Sequence, residues 1–547
     1  MANMDIEKRK KAVGEMVKTM LNPKHKREDI SFTLGWDVVA TYSETQINSL
    51  LEKRYNENKT KILHTLEMAV DLPQSYKKTP DRTQYVLKIG PPVLEFEATG
   101  GAQPLCSIKM RVIEGTITKH GGNPRKAKPG WMIRLGQIPL ASAKGTVSQG
   151  KLQGNPTLTP APDAVKFDSK TDETQHVLLA FELNENLTVE AFPEDPGFHS
   201  AEETAFTNLE FQKAFRKYFT KPASSQERLS LSYAIASVNN QPNDQAPGLR
   251  PVRFQFATFS TEDKNRDKSL LSIFIDVAGG LNTGQSDMLQ DRWAKQWKDE
   301  GIMPVPEGFS ATLMFSSAFF NTVILKNGIS KSGWAVEDVS PKDQAYSKIE
   351  CRHTGTFDVP GHDEIDGVVT FHTDGAQIPL SNFPLALTIR QDNEFQTPSI
   401  SGFWSITQDV PWKETLRFNG MRKWQGGWIV GQWYLCDQGD SSRRPLRLKE
   451  TEMTLTDEAL NLDFKPDIKE VIWFNPPEEN PTGGKLWSKE MEVLGTRIPD
   501  VKISPFGFGF LRMTNLIFPG GNVIEIDRNI GVRAPKDIIL FGDVMKD

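Results

Sequence analysis

Cysteine is nearly absent: Cys106, Cys351 and Cys436 are the only three in 547 residues, widely spaced and with no CxxC pair. An odd, scattered set builds no disulfide framework, so a reducing, cytoplasmic origin is expected. Long apolar runs are missing too. The most continuous, residues 311–325, is interrupted by Thr312, Ser316, Ser317, Asn321 and Thr322. It falls short of the roughly 18 apolar residues that read as a membrane-crossing helix. With 38% hydrophobic residues and a mean hydropathy of −0.45, the composition argues against an integral membrane protein. Charge excess is lacking as well: 65 Lys+Arg against 70 Asp+Glu leaves −5, which gives nucleic acid no cationic field to bind. The basic start, Met1 to Lys11, has no apolar segment behind it and is no secretory signal, so any release would use a route without one.

Catalytic signatures are missing in the same way. Neither GxSxG nor HExxH occurs. Gly145 to Lys151 nearly spells a phosphate loop, but Leu152 stands where a Ser or Thr would hold Mg²⁺. The following Gln153-Gly-Asn-Pro156 cannot open the helix whose amides that loop requires. A protein that is not an enzyme and uses no cofactor or metal is expected.

What is present is punctuation. Gly 41 and Pro 35 divide short apolar runs, the pattern of many strands. Tyr85, Leu87 and Ile89 alternate with Gln84, Val86 and Lys88, and Ile108, Met110 and Val112 with Lys109 and Arg111. These predict half-buried antiparallel strands; Leu271, Ile273, Ile275 and Val277 alternate less cleanly. Helices are predicted over 6–21, 206–219 and 287–298, with a domain boundary in 299–306. Residues 1–27 hold eight Lys/Arg and three Asp/Glu, forming a basic amphipathic arm that either packs on the body or touches an anionic membrane.

Two segments echo each other. Gly35, Ser43, Asn48 and Lys53 recur 273 positions later as Gly308, Ser316, Asn321 and Lys326, with Trp36 matching Phe309 and Tyr42 matching Phe315. Each reads as a strand turning straight into a helix, capped by Ser43 (with Gln46 as box partner) or by Ser316. Behind the caps run Ile47, Leu50 and Leu51 in one copy and Phe320, Val323 and Ile324 in the other. These stripes either line an apolar groove or fill a dry core. Phe506, Phe508 and Phe510, alternating with glycine, either line the same groove or mark a twisted edge.

The Gly35-Trp-Asp opening, Val305 to Ser316, Thr514 to Val523 and Pro535 to Asp543 together resemble the OrfX-type and forty-seven-kilodalton accessory proteins of clostridial neurotoxin gene clusters. Lys536 departs from that pattern, where glycine is expected. The resemblance implies an α+β, mostly antiparallel fold of the TULIP superfamily, each module a long helix wrapped by a curved antiparallel sheet. It implies two such modules, 28–300 and 301–547, behind the 1–27 arm. It further implies a place beside a protein toxin, toxin-complex partners, and a lipid or fatty acid in the groove. Ten CH₂ groups withdrawn from water at ~0.8 kcal/mol each would supply on the order of 8 kcal/mol before ordering costs.

Two other readings compete. Seven of twelve tryptophans (Trp404, Trp412, Trp424, Trp428, Trp433, Trp473 and Trp487) crowd residues 404–487, so the C-terminal half reads alternatively as a carbohydrate- or surface-binding β protein. Cys351, His353, His362, Asp363, Glu364 and His372 lie within 22 residues, but their spacing fits no common zinc pattern and a polar loop is the simpler reading.

Overall fold

The computed structural model describes residues 6–21, 31–57, 65–72, 81–97, 103–127, 129–145, 147–148, 151–152, 158–161, 163–183, 187–194, 209–220, 234–241, 249–260, 269–330, 334–336, 348–359, 362–366, 369–373, 376–404, 409–410, 412–418, 421–425, 431–436, 446–456, 459–464, 471–474, 490–492, 501–507, 516–517 and 524–544. Along it run α1 (Ile6–Leu21), β1 (Val38–Ser43), α2 (Glu44–Glu57), β2 (Thr65–Leu72), β3 (Asp81–Ile89), β4 (Val93–Phe96), β5 (Leu105–Lys119), β6 (Trp131–Lys144), β7 (Thr174–Leu179), α3 (Leu209–Thr220), β8 (Ala234–Asn239), β9 (Pro251–Phe259), β10 (Leu270–Val277), α4 (Leu289–Glu300), β11 (Ala311–Phe315), the helical run α5 (317–330) and β12 (Ile538–Val544). The architecture is α+β and mostly antiparallel β.

A central sheet is built around β9-β10-β1-β11-β12, every neighbour antiparallel. It is covered on both faces. Val38, Ala40, Tyr42, Leu271, Ile273, Leu313 and Leu540 belong to the main core, while their neighbours Val39, Leu270, Phe274, Met314, Ile539 and Phe541 belong to a second one. That explains the ragged pattern of β10: all eight of its residues are buried, so no face needs to be polar. The second core is closed by Val13, Met16, Val17 and Met20 of α1 and by Leu289, Trp293 and Trp297 of α4. The arm's apolar stripe is thus spent on packing, and Lys8, Lys10, Lys11 and Lys18 stay exposed.

A second sheet, β2-β3-β5-β6-β7-β8, curls over the other face of the central one. Register shifts at Lys88/Ile89, Cys106/Ile108 and Val177/Leu178 help bend it, because an extra residue on one strand increases local twist. In β3 the alternation holds: Tyr85, Leu87 and Ile89 are buried, Gln84 and Lys88 exposed. Inside the curl, α3 buries Phe211, Phe215 and Phe219, with Phe211 against Tyr85 (4.9 Å) and Phe219 against Phe181 (5.5 Å). Further strands, including 334–336, 348–353, 385–390, 399–404 and 446–452, form smaller antiparallel sheets.

Helix α1 starts where its stripe starts. The helix predicted from 287 begins instead at Leu289, because Met288 adopts a left-handed φ of 52°; Gly301, also left-handed at 66°, ends it. That helix end lies at the 300/301 boundary, yet the central sheet draws strands from both sides of it. The 27/28 boundary and residues 206–208 lie outside the described residues. Among the described residues no helix exceeds the 16 residues of α1.

The echoed segments are direct neighbours. Helices α2 (44–57) and α5 (317–330) begin and end 273 positions apart, and their leading strands β1 and β11 pair antiparallel. The Ser43 N–H donates to the Ser310 carbonyl (2.9 Å), and the Ser316 N–H donates to the Asp37 carbonyl (3.0 Å). Those two bonds exchange under the same 273-residue shift.

Candidate functional site

Two matched polar centres flank the β1/β11 seam. In one, Asp37 Oδ2 accepts from Val277 N–H (3.0 Å) and Oδ1 from Leu281 N–H (3.1 Å), while Asp37 N–H donates to Asp276 (3.4 Å). Arg253 donates to Asp276 at 2.6 Å and stacks 4.7 Å over the Trp36 ring. In the other, Ser310 Oγ accepts from Val544 N–H (2.9 Å), Ser310 N–H donates to Asp543 (3.1 Å), and Arg9 reaches Asp543 (2.6 Å) while lying 4.7 Å over Phe309. The first arginine comes from β9 within the body; the second comes from α1. Burial pushes the Asp37 carboxyl up to about 6, assisted by Asp276 and opposed by the backbone donors. Asp276 is raised by burial against the pull of Arg253. These centres close the fold: a Cβ on Gly280 would sit 1.8 Å from Asp37 Oδ2.

The predicted groove residues of α2 and α5 are buried, on helices that leave opposite ends of the seam. Ile47, Leu50 and Leu51 are 0%, 6% and 1% exposed, and Phe320, Val323 and Ile324 are 0%, 8% and 3%. All but Leu50 belong to one continuous apolar core reaching from the central sheet to the curled one. Phe506 lies on the strand Val501–Gly507, which runs beside the last turn of α5; Phe508 and Phe510 lie outside the described residues.

The two matched helices differ in what they offer this interior. From α2, Glu44 accepts the Phe96 N–H (2.7 Å) and Asn48 both accepts from Leu94 N–H (2.7 Å) and donates to Leu94 O (2.9 Å). Tyr55 donates to the Ile89 carbonyl. A row of polar side chains thus satisfies the outer edge of β4, and burial pushes Glu44 up to about 7. Helix α5 is capped as predicted, Ser316 Oγ accepting from Phe319 N–H at 3.1 Å. It then widens into a π turn over Phe320–Leu325 and buries Asn321, 7% exposed, with no partner for its Oδ1 among the described residues. An unmet buried carbonyl of this kind costs about 1–3 kcal/mol.

The remaining candidates resolve differently. Cys351 is buried in the core with its thiol pushed up to about 12 by burial, and His353 packs edge-on against Trp334 while accepting from Gly355 N–H (2.9 Å). Asp363 and His372 are register partners on paired strands, and among the described residues no three metal-ligating side chains gather. The near phosphate loop is a hairpin, Val147–Ser148 pairing with Lys151–Leu152. Trp404, Trp412, Trp424, Trp433 and Trp473 lie in strands; Trp428 and Trp487 lie outside the described residues. No helix among the described residues is long and apolar enough to cross a membrane.

Glu44, Tyr55 and the arginine centres went unread in the sequence. One signal for the centres was there: Phe274-Ile-Asp-Val277 and Phe541-Gly-Asp-Val544 are near copies.

The sequence matches no protein-family model and no curated protein. Among solved structures, the chain is similar to P47 of Clostridium botulinum E1, at 12% identity and a TM-score of 0.43 over 94% of this chain and 100% of that one. It is also similar to P47 from Clostridium botulinum A2, at 14% identity and 0.35 over 78% and 83%. A lipopolysaccharide binding protein matches at 10% identity and 0.22 over 93% and 99%. The likeness to P47 is the one the motifs already suggested.

Proposed function

We propose that the chain is a non-enzymatic accessory protein of a bacterial toxin cluster, made of two TULIP-like modules that arose from one, and that its apolar interior takes up a lipid or fatty acid. The observation that supports the lipid reading is that Ile47 and Leu51 of α2 and Phe320, Val323 and Ile324 of α5 all belong to one extended apolar core. The matched polar centres support the two-copy origin. The toxin association rests on the motifs. Two buried free thiols, Cys106 and Cys351, suit synthesis in a reducing cytoplasm.

The stripe residues are at most 8% exposed, so an acyl chain enters only where side chains and a neighbouring segment open. Uptake is therefore expected to be slow and strongly temperature-dependent. Native mass spectrometry of freshly purified protein with lipid extraction, and uptake of a fluorescent fatty acid, test the reading. The double substitution Leu50→Glu and Val323→Glu should abolish uptake; uptake surviving in a folded double variant would place the lipid elsewhere. Reading the neighbouring genes for a protein toxin, and measuring binding to it, tests the second part.

A further inference from the structure

We propose that Asn321 is the polar anchor of the lipid site in the second module, accepting a hydrogen bond from a neutral O–H group at the head of a single acyl chain. The inference rests on the lipid reading above and narrows it.

Helices α2 and α5 occupy matched places, and Asn48 and Asn321 are matched residues. On α2 the asparagine works in a group: Glu44, Asn48 and Tyr55 together hold the backbone from Ile89 to Phe96. The positions of α5 matching Glu44 and Tyr55 are Ser317 and Gly328. Serine is too short to repeat the Glu44 bond, and glycine has no side chain at all. A second strand clamp is therefore not built into α5. Its neighbours along the helix, Phe319, Phe320, Val323, Ile324 and Leu325, are all apolar and buried.

The result is one amide in an apolar stretch of helix, 7% exposed, its Oδ1 without a partner among the described residues. The π turn that contains it, closed by the Lys326 N–H on the Asn321 carbonyl, is a rare helix form frequent at functional sites. Such a carbonyl oxygen selects by chemistry. It needs a donor, which esters and hydrocarbons lack, and it repels a carboxylate, whose lone pairs would face its own. A fatty alcohol or an un-ionised fatty acid supplies the O–H and an apolar tail for the stripe.

Displacement of a fluorescent anthroyloxy-stearate probe from the full chain tests this, with 1-hexadecanol, methyl palmitate and palmitic acid as competitors. Hexadecanol should outcompete methyl palmitate about tenfold, the worth of one buried hydrogen bond. Palmitic acid should approach the alcohol at pH 5 and fall behind at pH 9; equal competition at both would mean that the proton of the head group is not read, and would overturn the O–H rule. In Asn321→Leu the alcohol preference should vanish while methyl palmitate binds as before, and Asn321→Ala should behave alike should leucine crowd the turn. Asn321→Leu without ligand should melt no lower than wild type, whereas Asn48→Leu should melt lower and keep the preference. A preference that survives Asn321→Leu, or a wild type with none, overturns the anchor alone. A melting temperature several degrees lower in both Asn321 variants would make the residue structural and also overturn it. A wild type that binds no probe overturns the lipid reading and the anchor together.

Discussion

Arg253 and Arg9 do the same job and are equally exposed, each side chain at 21%, so the burial of the aspartates they hold decides what each contributes. Asp276 is fully buried and depends on Arg253, which also donates to the Gly284 carbonyl (2.8 Å) and covers Trp36. Removing the arginine strands a buried charge, so Arg253→Ala should cost about 3–5 kcal/mol in urea unfolding. Lysine would not rescue it, since one ammonium cannot fork and stack at once. Arg9 bonds Asp527 and Asp543, but the Asp543 side chain is 41% exposed. Water replaces much of what is lost there, and Arg9→Ala should cost about 1 kcal/mol. Equal costs at the two sites would mean that the second centre is as closed as the first. From sequence alone neither arginine stands out, since Arg253 acts across a strand pair on an aspartate 23 residues on, and Arg9 on one 534 residues on.

At the scale of the element, patterns that one face decides were legible and patterns that two faces decide were not. The limits of α1 follow from its stripe, and β3 from its alternation. Strand β10 hides its role because both faces are covered, and α4 starts late because a non-glycine residue takes a left-handed turn before it. Of the candidate groove, the stripes of α2 and α5 were legible as apolar periodicity, but whether they line space or fill it depends on partners distant in sequence. The polar edge of α2 makes a pH-dependent contribution. Burial first, then Glu95, raises Glu44 from 4.5 to about 7, so its folded form favours the proton. The stability this contributes is complete below the unfolded value and is lost as pH rises through about 7. Glu44→Gln, which keeps an acceptor for Phe96 N–H, should lose less melting temperature than wild type between pH 5 and pH 8. A parallel decline in both proteins would show that Glu44 is already charged at pH 5.

For the whole molecule, the seam between β1 and β11 matters more than the number of modules. The 273-residue echo reveals two related segments, but nothing in a local pattern reveals that they lie side by side, since strand pairing across that distance leaves no periodic trace. Joined this way, the central sheet draws β9, β10 and β1 from one half and β11 and β12 from the other. Cutting at residue 300 would expose the edge of β1, strip Leu313, Phe315, Ile538 and Leu540 from the main core, and leave Trp293 and Trp297 without Met314, Ile539 and Phe541 in their cluster. Each of those side chains contributes about 1.5–3 kcal/mol when buried, so the loss exceeds the 5–15 kcal/mol that a typical domain has in total. Fragments 1–300 and 301–547 should therefore fail to melt cooperatively when made alone, by circular dichroism or calorimetry. Produced together they should associate through β1 and β11 and recover a single transition. A sharp melt of either fragment by itself would show that the seam joins finished modules and does not complete them.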